Sequence, residues 1–204
     1  LGSNQLNAKA RLLAGDSPQQ VINWLINNDA QGDPSQRQYG IAAIMPGGPE
    51  AAAYTGVNCF DVKYHKVGAD YAIQGNILLD SSIIDSMEAA YLRTAGQPLE
   101  FRLMAAMLAA NTPGADSRCA PFGLSSLSSY LRVADTTDGL GLTPSLDLIV
   151  PSVPGDYSVD PIDSLYTLFL ATVDTSGPGT NIPEVFRDVS ILNMSNVWVV
   201  KLPS

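Results

Sequence analysis

His65 is the only histidine in the chain, so a Ser-His-Asp triad built from these residues alone would have to use it. It follows Tyr64 and stands between Lys63 and Lys66. The flanking lysines read as an exposed strand edge, and no G-x-S-x-G elbow accompanies it. This reading excludes most histidine-dependent hydrolase mechanisms and any His-rich metal site. Two other clusters carry chemistry-bearing groups. The first is Gln74-Gly75-Asn76, at the end of an apolar strand and just before a capped helix. Strand ends beside helix starts are where side chains and backbone N–H groups converge on a ligand. The second is Gly114-Ala115-Asp116-Ser117-Arg118-Cys119, between a helix and a strand. An Asp and an Arg two residues apart form a fixed ion pair or hold a substrate carboxylate bidentately. Each cluster also has a purely structural reading: Asn76 caps a turn, and Asp116 with Arg118 is a local pair.

Other motifs fail on spacing. Gly139-Leu140-Gly141 lacks the third glycine and the following helix of a dinucleotide loop. Asp135, Asp138 and Asp147 are too dispersed for an EF-hand and read as a solvated acidic loop. Asn193-Met194-Ser195 is a formal glycosylation sequon, meaningful only in a secretory eukaryotic setting. Cys59 and Cys119 stand sixty residues apart and do not make a zinc site. A disulfide between them would contribute about 4 kcal/mol by loop closure. Two separate buried thiols fit the sequence equally well. No cofactor or metal is expected.

The chain has 204 residues, 46% of them hydrophobic and 15% charged, which fits a folded domain and not a disordered one. Eleven Lys and Arg against twenty Asp and Glu give a net charge of −9. Broad electrostatic binding to nucleic acid or to an anionic membrane needs the opposite sign. No apolar window reaches the ~20 residues needed to span a bilayer. The opening residues Leu1-Gly2-Ser3-Asn4 lack the basic start and apolar stretch of a signal peptide, and Leu1 reads as a processed or truncated terminus. Low lysine content, acidity and Ser/Thr/Asn-rich loops fit a secreted or periplasmic protein.

The elements that must position the clusters are legible from caps and turns. Gln5 to Ala14 predicts a helix closed by Gly15. Ser17 and Pro18 predict the N-cap and first turn of a second helix, with Trp24 buried beside Val21 and Leu25. Tyr39–Met45 and Glu50–Thr55 predict a hairpin through Pro46-Gly47-Gly48-Pro49. Short strands are expected at Val62–Val67 and Tyr71–Gln74. Helices are expected from Asp80 or Ser81 to Thr94 and from Leu99 to Ala110, with strands at Ser125–Val133 and Leu146–Val150. A helix opened by Asp160-Pro161 runs to near Thr175, and Ser176-Gly177-Pro178-Gly179 reads as a linker. Val197–Val200 predicts a last strand. Helices segregated from hairpin-connected strands define an α+β layered fold. The expected organisation is one domain over 1–175 and a C-terminal extension over 176–204.

Several ordered stretches resemble a bacterial family called domain of unknown function 1028. They are QLNAKARLLAGDSPQQVINWLINND at Gln5–Asp29, QYGIAAI at Gln38–Ile44, AAYTGVNC at Ala52–Cys59, YAIQGNIL at Tyr71–Leu78 and GADSRC at Gly114–Cys119. The helix at Met87–Ala110 and VDPIDSLYTLF at Val159–Phe169 also fit in place. The resemblance implies the N-terminal-nucleophile (Ntn) hydrolase superfamily and its four-layer αββα sandwich, two antiparallel sheets face to face with helices outside. Such an enzyme attacks with a Thr, Ser or Cys at its mature N-terminus, whose α-amine is the base.

Leu1 has no nucleophilic side chain, and the family's members carry further strands before the equivalent of Asn4. The resemblance therefore implies the larger C-terminal part of an amide-bond hydrolase, inactive as this chain alone, with its nucleophile upstream of Leu1. Asn76 and Asp116 would be catalytic, and Gln74, Gly75 and Arg118 would bind substrate. A companion polypeptide carrying the missing strands, or a homo-oligomer, is expected as partner. The contrasting expectation is a non-catalytic secreted protein that keeps the fold for binding or assembly.

Overall fold

The computed structural model describes residues 2–135 and 144–177. Gly139-Leu140-Gly141 with Asp138, Pro178-Gly179, the sequon at Asn193 and the expected strand Val197–Val200 lie outside the described residues. The fold is α+β. Among the described residues its strands form three two-stranded antiparallel sheets. The contacts resolve into two compact units. The first holds residues 2–75 with 134, 135 and 144; the second holds residues 76–133 and 145–177.

The first unit begins with helix α1 (Ser3–Leu13) and helix α2 (Pro18–Asn27). Gly15 takes φ +98°, which a glycine adopts without a Cβ penalty. Its N–H donates to the Leu12 carbonyl and that of Asp16 to the Arg11 carbonyl, the paired bonds of a Schellman ending. Ser17 then caps α2 reciprocally: its Oγ accepts from Gln20 N at 3.3 Å, and Gln20 Oε1 accepts from Ser17 N at 2.8 Å. Val21, Ile22 and Leu25 are buried against Ile41, Ala43 and Ala52 of the following hairpin. Trp24 is only half-buried, which corrects the expected burial. At about 100° per residue it lies on the flank of the face centred on Val21, Ile22 and Leu25. There the Arg11 guanidinium sits 5.3 Å from its ring centroid.

Strands β1 (Gln38–Met45) and β2 (Gly48–Thr55) pair antiparallel, as the two apolar runs predict. The connection is tighter than the sequence suggested. Met45 lies opposite Gly48, so only Pro46-Gly47 is left to turn, and Pro49 is already a strand residue opposite Ile44. A proline fits there because each strand of a two-stranded sheet has an edge that needs no N–H. Strands β3 (Tyr64–Val67) and β4 (Ala72–Gly75) make a second hairpin. The Gln38 Nε2 amide ties the two hairpins together, donating to Thr55 Oγ1 at 3.0 Å and to the Gly75 carbonyl at 2.9 Å.

The entrance to β1 is set by one carboxylate. Asp29 is 1% exposed at its side chain. It accepts from Arg37 Nε (2.9 Å) and Nη2 (3.1 Å), Asn4 Nδ2 (2.6 Å), the Tyr39 hydroxyl (3.0 Å), and the N–H groups of Gln31 (3.0 Å) and Asp33 (3.2 Å). The Arg37 guanidinium, ahead of the other donors, holds this carboxyl well below the usual carboxylate range. Burial and the bond to Asp29 push the Tyr39 phenol up.

The second unit is built from α3 (Ser82–Arg93), α4 (Leu99–Leu108), the hairpin β5 (Ser129–Val133) and β6 (Leu146–Val150), and α5 (Pro161–Thr172). Phe101, Met104, Leu131, Leu148, Ile162, Leu165 and Phe169 form its core. Phe101 meets Phe169 edge to face at 5.0 Å between centroids, a geometry that the ring quadrupole favours. β5 is shorter than the expected Ser125–Val133. Ser125 is instead taken by Asp160, whose Oδ2 accepts from Ser125 N at 2.5 Å and whose Oδ1 accepts from Ser125 Oγ at 2.8 Å and from Ile162 N at 2.8 Å. One side chain thus caps α5 and pins the approach to β5. No helix among the described residues is long and apolar enough to cross a membrane.

Asp29→Asn keeps the volume but loses the charge that Arg37 faces. It is expected to cost about 1.5–3 kcal/mol in urea unfolding at pH 7, the range of hydrogen bonds to a charged group. Because the folded-state pKa of Asp29 is depressed, its contribution is present above the ordinary carboxylate range and is lost as pH falls below it. The wild-type protein should therefore lose more stability than Asp29→Asn between pH 5 and pH 2, readings chosen to bracket the ordinary Asp value of about 3.9.

Candidate functional site

The two clusters singled out by sequence meet in part. Asn76 is exposed and opens the second unit. The next residue, Ile77, has φ +61°. For a β-branched side chain this is an outlier, and such strain persists only where the surroundings over-determine it. Here they do. The Ile77 carbonyl accepts from Ser117 N at 2.9 Å, Leu79 N donates to the Ala115 carbonyl at 2.9 Å, and Leu78 bridges Asp116 in antiparallel sense. The segment 77–79 is thus paired to the loop 115–117, which places Asn76 at the border of the Asp116–Arg118 loop.

That loop is held from its other side as well. Asp116 N donates to the Ser125 carbonyl at 3.2 Å and Gly114 N to the Leu124 carbonyl at 2.8 Å. Gly114 takes φ +81°, and a Cβ there would stand 2.9 Å from Ala120 Cβ, so both conformation and space require glycine. Asp116 caps the short 3-10 helix Ser117–Phe122, its Oδ1 accepting from Arg118 N at 3.0 Å. The same carboxylate receives the Arg118 guanidinium as a fork, Nε to Oδ1 at 2.8 Å and Nη2 to Oδ2 at 2.5 Å. Asp116 is 12% exposed at its side chain and Arg118 66%. The bond to Asp116 raises the arginine's pKa above its ordinary value. Two of the five guanidinium N–H donors are thus committed to Asp116, on a side chain that is largely exposed.

Cys119, next in the loop, is buried, and burial first and the Asp116 charge second push its thiol up to about 11. It is a protonated, packed thiol. Cys119 and Cys59 are both free. Cys59 is buried in the first unit, where its Sγ donates to the Arg37 carbonyl at 3.3 Å. Among the described residues no group of three or more His, Cys, Asp or Glu is placed to hold a metal ion.

Gln74 and Gly75 belong to the first unit. Gln74 is buried, and its amide covers Gly40: a Cβ at Gly40 would fall 2.1 Å from Gln74 Oε1. The Gly75 carbonyl is the acceptor of Gln38 Nε2. His65 is half-buried on a strand of a two-stranded sheet; its Nδ1 lies 2.8 Å from Thr55 Oγ1. Burial lowers its pKa. Sequence reasoning passed over Thr55 and Gln38, because the strands that bring them to His65 are separated by loops in the chain. It also passed over Asp160, whose only signal was the Asp-Pro helix start.

The architecture is thus a mixed α+β fold in which a strained strand-to-helix connection is stitched to an Asp-Arg loop. The family model for DUF1028, a family of unknown function, matches residues 3–165. The chain belongs to that family. Its fold is similar to the crystal structure of a Silicibacter pomeroyi protein assigned to DUF1028, with a TM-score of 0.56 and 23% identity over 85% of this chain and 67% of that one. No curated protein matches the chain.

Asp116→Ala removes the 3-10 cap and both anchors of Arg118. It is expected to cost about 1–2 kcal/mol in urea unfolding, the range of a lost cap with a largely exposed ion pair. Arg118→Ala, which leaves the cap in place, should cost less than about 1 kcal/mol.

Proposed function

We propose that this protein is the larger C-terminal part of an amide-bond hydrolase of the Ntn type, built on a four-layer αββα sandwich. The nucleophile is a Thr, Ser or Cys whose α-amine takes its side-chain proton, and it lies on residues preceding Leu1 in the complete protein or on a companion polypeptide. Asn76 donates to the oxyanion that forms as the carbonyl carbon becomes tetrahedral. Asp116 orients the nucleophile, and Arg118 holds a carboxylate of the substrate. Gln74 and Gly75 enter this reading as the strand end that leads into Asn76. The supporting observation is the strained Ile77, whose carbonyl is tied to Ser117 and whose neighbour Asn76 is held beside the Asp116–Arg118 loop.

The test is hydrolysis of amide substrates with and without a free carboxylate by the complete protein. Asn76→Ala is expected to lower kcat by about 10²–10³, the effect of one lost oxyanion donor. Arg118→Gln is expected to raise KM for the carboxylate-bearing substrates alone. Equal kcat for wild type and Asn76→Ala would overturn the assignment.

The second reading, a secreted or periplasmic binding or assembly protein, is favoured by Val57 and Phe60, 77% and 74% exposed on the loop after β2. Exposed apolar side chains grouped in one loop mark contact surfaces. Phe60→Ser separates the two: under this reading it releases a self-associated copy or bound partner in sedimentation, whereas under the hydrolase reading it leaves assembly and amide hydrolysis unchanged.

A further inference from the structure

The first unit holds a connected set of polar side chains that the hydrolase reading does not use. Register brings them together. Gln38 and Thr55 are partners at the open end of β1–β2, and His65 lies one residue from the open end of β3–β4, opposite Gln74. His65 Nδ1 and Thr55 Oγ1 are 2.8 Å apart, and Gln38 Nε2 donates to the same Oγ1 at 3.0 Å. The backbone fixes the orientation of that amide. Its nitrogen also faces the carbonyls of Gly75 at 2.9 Å and Tyr64 at 3.3 Å, which only accept. The Thr55 hydroxyl accepts a hydrogen bond from Gln38 and keeps its own proton to donate, and it donates to His65 Nδ1 in the neutral tautomer that carries the ring proton on Nε2. A hydroxyl bonded to a base on one side and a fixed donor on the other is the arrangement of an activated nucleophile. Thr55 and His65 are half-buried, which leaves part of each within reach of a small ligand.

We propose that Thr55 and His65 form an acyl-accepting pair for small activated carboxylic esters, with Thr55 as nucleophile, His65 as general base and Gln38 as positioning residue. Oγ1 attacks the ester carbonyl as its proton passes to His65 Nδ1. The Oγ1–carbon bond forms, and the bond to the aryloxide oxygen breaks, releasing an aryloxide that leaves without a proton. Water then adds to the acyl-threonine as His65 passes its proton to solvent and takes one from the water. The carboxylic acid departs and the hydroxyl is restored, so the sum is ester plus water to acid plus phenol. The substrate class follows from the base. Among the described residues the His65 ring hydrogen-bonds to Thr55 alone, and no carboxylate orients it. Such a base suits a leaving group that needs no protonation, an aryl ester rather than an amide.

The test is incubation of the full chain with 4-nitrophenyl acetate, following nitrophenolate release and mapping acetyl groups by peptide mass spectrometry. One acetyl group on Thr55 is expected in samples quenched with acid during the initial burst of nitrophenolate, before water clears the acyl-threonine. Thr55→Ser should keep it. His65→Gln should slow acetylation of that position by about 10²–10⁴, the span of general-base catalysis. Gln38→Leu should slow it less. Circular dichroism of each variant reports folding, and the map of the wild-type chain decides the point whichever variants fold. Acetyl groups confined to lysines such as Lys63 and Lys66, with Thr55 unmodified, would overturn the proposal. So would an unchanged rate at Thr55 in folded His65→Gln.

Discussion

The first unit depends on a carboxylate that has exchanged water for six protein donors. Asp29 gathers α1 through Asn4, its own loop through Gln31 and Asp33, and the start of β1 through Arg37 and Tyr39. A buried charge is tolerated only when its lone pairs are filled, and a partly filled network is worse than none. The network therefore forms as a whole, and with it the phase of β1. Gln38 lies between Arg37 and Tyr39. Once those two side chains reach Asp29, the alternation of the strand turns Gln38 to the opposite side, toward Thr55 and Gly75. The polar set around His65 is in this sense a product of a bond made elsewhere.

The second unit repeats the device with Asp160. That residue caps α5 and holds Ser125, and Ser125 in turn offers its carbonyl to Asp116. A chain of local bonds thus runs from the start of the last described helix to the candidate site. Both units place an aspartate where backbone N–H groups would otherwise be left without partners. In an acidic chain these are carboxylates with defined duties, set apart from those that merely lie in solvent.

Much of this was legible in the chain. Gly15, Ser17 and Pro18 act within a few residues of where they stand, so the ending of α1 and the start of α2 could be read directly. The β1–β2 hairpin followed from two apolar runs around a Pro-Gly turn, and the family from five ordered stretches. Contacts between distant residues were not legible. Trp24 looked like core because it is large and apolar, yet its angle on α2 puts it at the flank. His65 looked exposed because of its lysine neighbours, yet it is half-buried, as Lys63 and Lys66 also are, and its partner Thr55 comes from another hairpin. The union of Asn76 with the Asp116–Arg118 loop depends on the left-handed turn at Ile77, and an isoleucine gives no warning of one.

The burial of Cys119 bears on oxidation. A thiol pushed up to about 11 holds only about one part in ten thousand as thiolate at neutral pH, and the thiolate is the form that peroxides, disulfides and alkylating reagents meet. The residue beside the exposed Arg118 is therefore chemically quiet while folded. Burial also closes the thiol off from solvent reagents, and reactivity at Cys119 would report that the loop has opened.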